Sequence, residues 1–220
     1  MEINKLIDHT YLKAFGTKEE IDELIKEAKQ HDFKSVCVNP VYAAYCANEL
    51  SDVNVLVCTV IGFPLGANTT EVKVYETLNA LQNGADEIDM VANIGKIKEH
   101  DYDYILDEVN QVKSACKDHT LKVIIETCYL TDEEISEVSD TIGKSHADFI
   151  KTSTGFGTAG AKVEHVKIMS QHGNGKQIKA AGGVRTPEDV QAMVDAGASR
   201  IGTSRGVSLV SDKSPEEEGY

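Results

Sequence analysis

The chain has 220 residues, 41% of them hydrophobic, with 22 Lys and Arg against 36 Asp and Glu for a net charge of −14. That length and apolar content suffice for one large α/β domain or two small ones, while the charge repels nucleic acid and anionic membrane, so neither is an expected partner and an anionic substrate needs a locally positive pocket. No apolar run approaches the roughly 20 residues of a membrane span, residues 1–8 lack a signal-peptide pattern, and the expected compartment is the cytoplasm.

In chain order, the first strand candidate is Leu6–Thr10, which carries Asp8, His9 and Thr10. Thr17 and Glu20 form a capping box before a helix from about Lys18 to His31, whose inner face is Ile21, Leu24, Ile25 and Ala28. The next strands are Ser35–Asn39, which contains Cys37, then Val55–Ile61 and Glu87–Asn93, which places Asp89 among apolar neighbours. Lys122–Thr127 follows, then the Thr131 and Glu134 box, Asp148–Ser153, Gln177–Gly182, the Thr186-Pro187 helix start and Arg200–Thr203. Gly84, Gly143 and Gly197 read as helix stops.

Eight near-continuous apolar strands alternating with helices imply a parallel sheet covered on its outer face, and eight strands can close into a (β/α)8 TIM barrel. An open doubly wound sheet is the alternative, but the first βα turn carries no glycine fingerprint; GFGTAG at 155–160 comes late and is weak alone. The expected organisation is one α/β barrel domain over 1–210 followed by an acidic, flexible tail over 211–220 ending in Tyr220.

A barrel collects function at the carboxyl ends of its strands. Lys151 and Lys179 fall there on successive strands, and two ammonium groups brought together under partial desolvation are expected to pull one lysine toward a neutral, nucleophilic amine. Asp89 requires a cationic partner inside the barrel and suits proton transfer, and Asp8, Thr10 and Asn39 are further polar strand-end candidates. The loops Gly182-Gly183-Val184-Arg185 and Gly202-Thr203-Ser204-Arg205-Gly206, with Gly155 and Phe156 as a third wall, offer backbone N–H groups, the Ser204 hydroxyl and the charge of Arg185 or Arg205 to a phosphate.

Metal chemistry is not expected. The histidines other than His9 fall in helices or their flanks without ligand spacing, and His9 reads as a core hydrogen-bonding residue. The five cysteines lack paired spacing and read as reduced, mostly buried thiols, Cys37 among them. No Gly-x-Ser-x-Gly elbow is present.

The segments SVCVNP at 35–40, VIGFPLG at 60–66, ADEIDMV at 85–91, VIIET at 123–127, DFIKTSTGF at 148–156, KAAGGVR at 179–185 and GASRIGTS at 197–204 resemble the deoxyribose-phosphate aldolases of the bacterial class I type over essentially the whole chain. The resemblance implies reversible cleavage of 2-deoxyribose 5-phosphate to acetaldehyde and glyceraldehyde 3-phosphate, in deoxyribose phosphate catabolism, without cofactor or metal. It makes Lys151 the Schiff-base lysine, Lys179 and Asp89 the proton-transfer residues, and the GGVR and GTS loops the phosphate site. It also implies that Cys37 lines the site, that Tyr220 reaches it from the tail, and that the enzyme is a homodimer. Thr203 and Arg205 depart from the smaller residues usual in that loop. Two other readings compete: a phosphate-binding barrel lyase or isomerase using the lysines without covalent chemistry, and a silent sugar-phosphate binding protein.

Overall fold

The computed structural model describes residues 2–210. Its strands are β1 (Ile7–Tyr11), β2 (Ser35–Val38), β3 (Leu56–Ile61), β4 (Glu87–Val91), β5 (Thr120–Ile124), β6 (Phe149–Lys151), β7 (Gln177–Ala181) and β8 (Ala198–Thr203). Each pairs in parallel with the next, and β1 pairs with β8, which closes an eight-stranded barrel. Around it run α1 (Lys18–His31), α2 (Ala43–Glu49), α3 (Thr70–Gln82), α4 (Ile94–Lys98), α5 (Tyr102–Cys116), α6 (Asp132–Lys144), α7 (Val163–His172), α8 (Pro187–Asp195) and α9 (Gly206–Val210). The (β/α)8 expectation is met and the open sheet is excluded. None of the described helices is long and apolar enough to cross a membrane. Residues 211–220, Tyr220 included, lie outside the described residues.

Local chemistry sets the helix starts. The Thr17 N–H donates to Glu20 Oε2 at 2.7 Å, the Thr131 N–H to Glu134 Oε2 at 2.8 Å, and the Thr186 N–H to Asp189 Oδ2 at 3.0 Å, so α1, α6 and α8 each open on a capping box. Gly84 and Gly197 stop α3 and α8 with φ of +85° and +112°, values that L side chains resist. Gly143 does not act as a stop. It lies inside α6, where a Cβ would stand 2.9 Å from Asn174 Cβ, so its smallness serves packing against the segment after α7.

While β1 ends one residue later than the sequence expectation and β5 and β8 each start two residues earlier, five strands, β2, β4, β5, β6 and β7, end earlier than expected. Their last polar residues leave the sheet to form the rim. The clearest case is Glu126, whose left-handed φ of 51° breaks the backbone out of the β5 direction.

Side chains alternate across each strand, so apolar Ile88, Met90, Leu121, Val123, Ile150, Ile178 and Ile201 face the helices and build the main core. Fully burying one such side chain contributes roughly 1.5–3 kcal/mol. His9 also faces outward, with Nε2 2.6 Å from Glu27 Oε2 on α1 and its ring beside Phe33, which fits the core reading. The opposite parity of β1, β4, β5, β6, β7 and β8 carries Asp8, Glu87, Asp89, Lys122, Lys151, Lys179 and Arg200 into the barrel interior.

Candidate active site

Charged residues inside a barrel must satisfy one another, because water does not. Lys151 ends β6 and donates to Asp89 Oδ2 at 2.7 Å. Lys179, its register partner on β7, reaches the same oxygen at 2.7 Å and lies 2.5 Å from Asp8 Oδ2. Lys122 on β5 donates to Asp89 Oδ1 at 2.9 Å and pairs with Glu87 Oε2 at 2.7 Å. Arg200 completes the lower layer, with Nε 2.6 Å from Asp8 Oδ1 and Nη2 2.5 Å from Glu87 Oε2, while the Ser35 hydroxyl donates to Asp8 Oδ1 at 2.7 Å.

The electrostatics follow from this packing. Burial pushes the Asp89 pKa up, but the charges of Lys122, Lys151 and Lys179, with the Lys151 hydrogen bond, outweigh it and hold the carboxyl well below its ordinary range. Burial likewise raises Asp8, and Lys179, Arg200 and Lys122 together pull it below the usual value. For Lys179, burial lowers the pKa while Asp8 and Asp89 raise it further, so the net direction is upward. The expectation that crowding would depress one lysine therefore does not hold at Lys179, because the Asp8 and Asp89 carboxylates both lie against its ammonium group.

Above Lys151 a cavity of about 410 Å³ opens at the carboxyl ends of the strands. Its lining includes Thr10, Gly155, Gly182, Gly183, Gly202 and Ser204, all singled out from sequence, together with Lys151, Thr154, Phe156, Gly160 and Thr203. Gly182 and Gly183 both adopt positive φ, +77° and +79°, a turn that glycine alone takes without strain. The loop after β6 is held over the opening: the Thr154 N–H donates to both Glu126 carboxylate oxygens at 3.2 and 3.3 Å, and the Thr154 hydroxyl donates to Glu126 Oε2. Phe156 then packs edge-on against Phe63 with ring centroids 5.3 Å apart.

Several expected residues lie elsewhere. Asp8 is fully buried in the lower ionic layer, where Lys179, Arg200 and Ser35 use its carboxylate, so it supports the site from beneath and does not line the cavity. Cys37 is buried beside Leu12, Cys58 and Val60, and a hydrogen bond with Cys58 lowers its pKa despite burial. Arg185 is not among the lining residues; its N–H donates to Asp189. Asn39 lies at a separate, smaller opening near Phe63. Tyr220 is outside the described residues.

Sequence reading passed over Glu87, Lys122, Arg200 and Glu126. The first three carried the same signal as Lys151, a charge inside an apolar strand run, and Glu87 shares the face of Asp89 two residues on. Cys37, Cys58 and Asp89 also bring potential metal-ligand atoms within 4.8 Å of one another. Lys122 Nζ, 3.4 Å from Cys58 Sγ and bonded to Asp89, already supplies the positive charge there, and a cation would be repelled.

A lysine at the open end of a closed barrel, hydrogen-bonded to a carboxylate and facing a glycine-walled cavity, suits chemistry on a carbonyl compound; fold and site together define a (β/α)8 barrel lyase. Comparison with known proteins takes the assignment further. The model of the DeoC/LacD family aldolases matches residues 3–210, and the chain belongs to that family. It is 53% identical over 220 residues to deoxyribose-phosphate aldolase 1 of Vibrio vulnificus, covering 99% of this chain and 100% of that one. It is 54% identical over 211 residues to deoxyribose-phosphate aldolase of Streptococcus uberis, with 96% of each covered. Among solved structures, the tetrameric deoxyribose phosphate aldolase of Aeropyrum pernix superposes with a TM-score of 0.85 at 33% identity, covering 94% of this chain and 88% of that one.

Proposed function

We propose that the chain is a class I aldolase that cleaves 2-deoxyribose 5-phosphate reversibly to acetaldehyde and glyceraldehyde 3-phosphate, with Lys151 as the covalent nucleophile. The observation that carries this reading is the shared contact of Lys151 and Lys179 with Asp89 Oδ2 beneath the rim cavity. The names of relatives more than half identical over nearly the whole chain support the substrate.

The ionic cluster counts four cations, Lys122, Lys151, Lys179 and Arg200, against three carboxylates, Asp8, Glu87 and Asp89. Releasing one proton makes it neutral, and Lys151 is the member that faces the cavity. Its amine adds to C1 of the open-chain sugar and expels water, leaving a protonated imine. The C3 hydroxyl then gives its proton to the Asp89–Lys179 pair as the C2–C3 bond breaks, and the bonding electrons move onto the imine nitrogen. At that stage the nitrogen is neutral, so Asp89 loses one of its three cationic neighbours and its proton affinity rises as the proton arrives. Return of a proton to C2 and hydrolysis release acetaldehyde and restore Lys151. The lysine is the electron sink, so this course uses no cofactor.

A cytoplasmic location and a homodimeric assembly belong to the same reading; light scattering of the purified chain tests the assembly. The activity is tested by supplying 2-deoxyribose 5-phosphate and assaying glyceraldehyde 3-phosphate with a coupled dehydrogenase. Turnover by wild type and its loss in Lys151→Ala is expected. Turnover retained in Lys151→Ala overturns the covalent assignment.

A further inference from the structure

The cation expected to meet the substrate's phosphate is not where sequence reasoning put it. Neither Arg185 nor Arg205 lines the cavity. Among the described residues, two with charged side chains line it, Lys151 and Lys13, and none with a carboxylate does. Lys151 is engaged with Asp89. We propose that Lys13 is the phosphate-recognising cation of this site and sets its preference for phosphorylated substrates; the assignment rests on the aldolase reading above.

Barrel closure places Lys13 on the required side. β1 is hydrogen-bonded to β8 with His9 opposite Thr203, so the segment leaving β1 emerges beside the Gly202-Thr203-Ser204 loop. Thr10, Tyr11, Leu12 and Lys13 form one wall of the cavity, and Gly182, Gly183, Gly202 and Ser204 contribute another. The glycines admit close backbone approach but carry no charge, and among the described lining residues the cation beside them is Lys13. In a chain of net charge −14, a cation on the cavity wall adds a local positive field where an anion enters.

The residue is also held ready. Its carbonyl accepts from the Gly16 N–H at 3.1 Å, and the Gly16 carbonyl accepts from the Tyr42 hydroxyl at 2.8 Å, which anchors the turn between β1 and α1. The Lys13 ammonium lies 5.9 Å and 5.8 Å from the ring centroids of Tyr11 and Phe15. Unlike Lys18 and Lys26 on α1, which bind Asp22 and Glu23, Lys13 has no carboxylate within salt-bridge distance among the described residues. A lysine poised on aromatic faces keeps its charge available for an oxyanion.

The test compares kcat/KM for 2-deoxyribose 5-phosphate with that for unphosphorylated 2-deoxyribose in wild type, Lys13→Gln, Lys13→Arg, Arg185→Gln and Arg205→Gln. Loss of a charge-assisted contact to phosphate should lower this ratio about tenfold or more in Lys13→Gln, chiefly through KM, with recovery in Lys13→Arg. The arginine variants should keep it within about twofold, because neither residue lines the cavity. Calorimetric binding of inorganic phosphate, read without turnover, should weaken in Lys13→Gln alone. If wild type turns over neither sugar while phosphate binding still depends on Lys13, the aldolase reading fails and the phosphate assignment stands. An unchanged ratio and unchanged phosphate affinity in Lys13→Gln, or a ratio that collapses in an arginine variant instead, overturns it.

Discussion

Lys151 and Lys179 meet on one atom: from adjacent strands, both ammonium groups lie 2.7 Å from Asp89 Oδ2. Without that carboxylate two neighbouring cations would repel each other inside the barrel. With it, the proposed nucleophile and the proposed proton-transfer lysine are coupled through a single acceptor.

Lys179→Leu should therefore lower kcat by at least about a hundredfold, the usual scale for losing a positioned acid or base, while acetaldehyde can still be trapped on Lys151. Steady-state kinetics beside circular dichroism separate loss of chemistry from loss of fold. A wild-type rate would reject the proton-transfer role.

The ionic cluster also predicts how stability depends on pH. The folded pKa of Asp89 lies below its ordinary value of 3.8, so its contribution is present above that value and is lost as pH falls toward the folded one. The folded pKa of Lys179 lies above 10.5, so its contribution is complete below 10.5 and is lost only as pH rises through the elevated value. The Tm gap between wild type and Asp89→Asn should hold steady from about pH 5 to 9 and narrow below about pH 4. A gap that widens on acidification would contradict this sign.

Glu126 takes a left-handed backbone and fastens the loop that carries Phe156. Glu126→Ala strands the buried Thr154 N–H and should cost roughly 1–3 kcal/mol. KM should rise as the Phe156 wall loosens. Denaturant unfolding and kinetics on one preparation check both, and an unchanged KM would detach this loop from substrate binding.

Lys73 on α3 and Glu108 on α5 form a fully buried pair at 2.6 Å, and Glu108 also accepts the Asn93 N–H at 3.2 Å. Burial lowers the Lys73 pKa and raises that of Glu108, in each case beyond what the partner's charge restores. Lys73→Met or Glu108→Leu alone should cost about 3–5 kcal/mol, because each leaves one buried charge unpaired. The double variant should cost less than either single one, as urea unfolding will read. Additive losses would show the two residues to be uncoupled and would contradict this reading of the pair.

Much of this architecture was legible in the sequence because local and global signals agree. The Thr17 and Thr131 boxes start α1 and α6, and Ile21, Leu24, Ile25 and Ala28 are the buried face of α1. The reading failed where long-range packing decides. Gly143 resembles a stop, yet its lack of a side chain accommodates Asn174, more than one element away. Lys122 and Arg200 sit one layer below the rim, where attention to strand ends alone overlooks them, although Asp89 and Asp8 depend on their charge. Arg185 stood in a glycine loop of the right composition; which side chains line the cavity is settled by barrel closure, and closure brings Lys13 from the opposite end of the chain.

Schiff-base formation at Lys151 is read by peptide mapping with mass spectrometry after incubation with acetaldehyde and sodium borohydride, with Lys151→Ala as control. One two-carbon adduct, confined to the Lys151 peptide and absent from the control, is expected. A folded wild-type protein that remains unmodified, or an adduct carried by Lys179 or Lys122 instead, would contradict it.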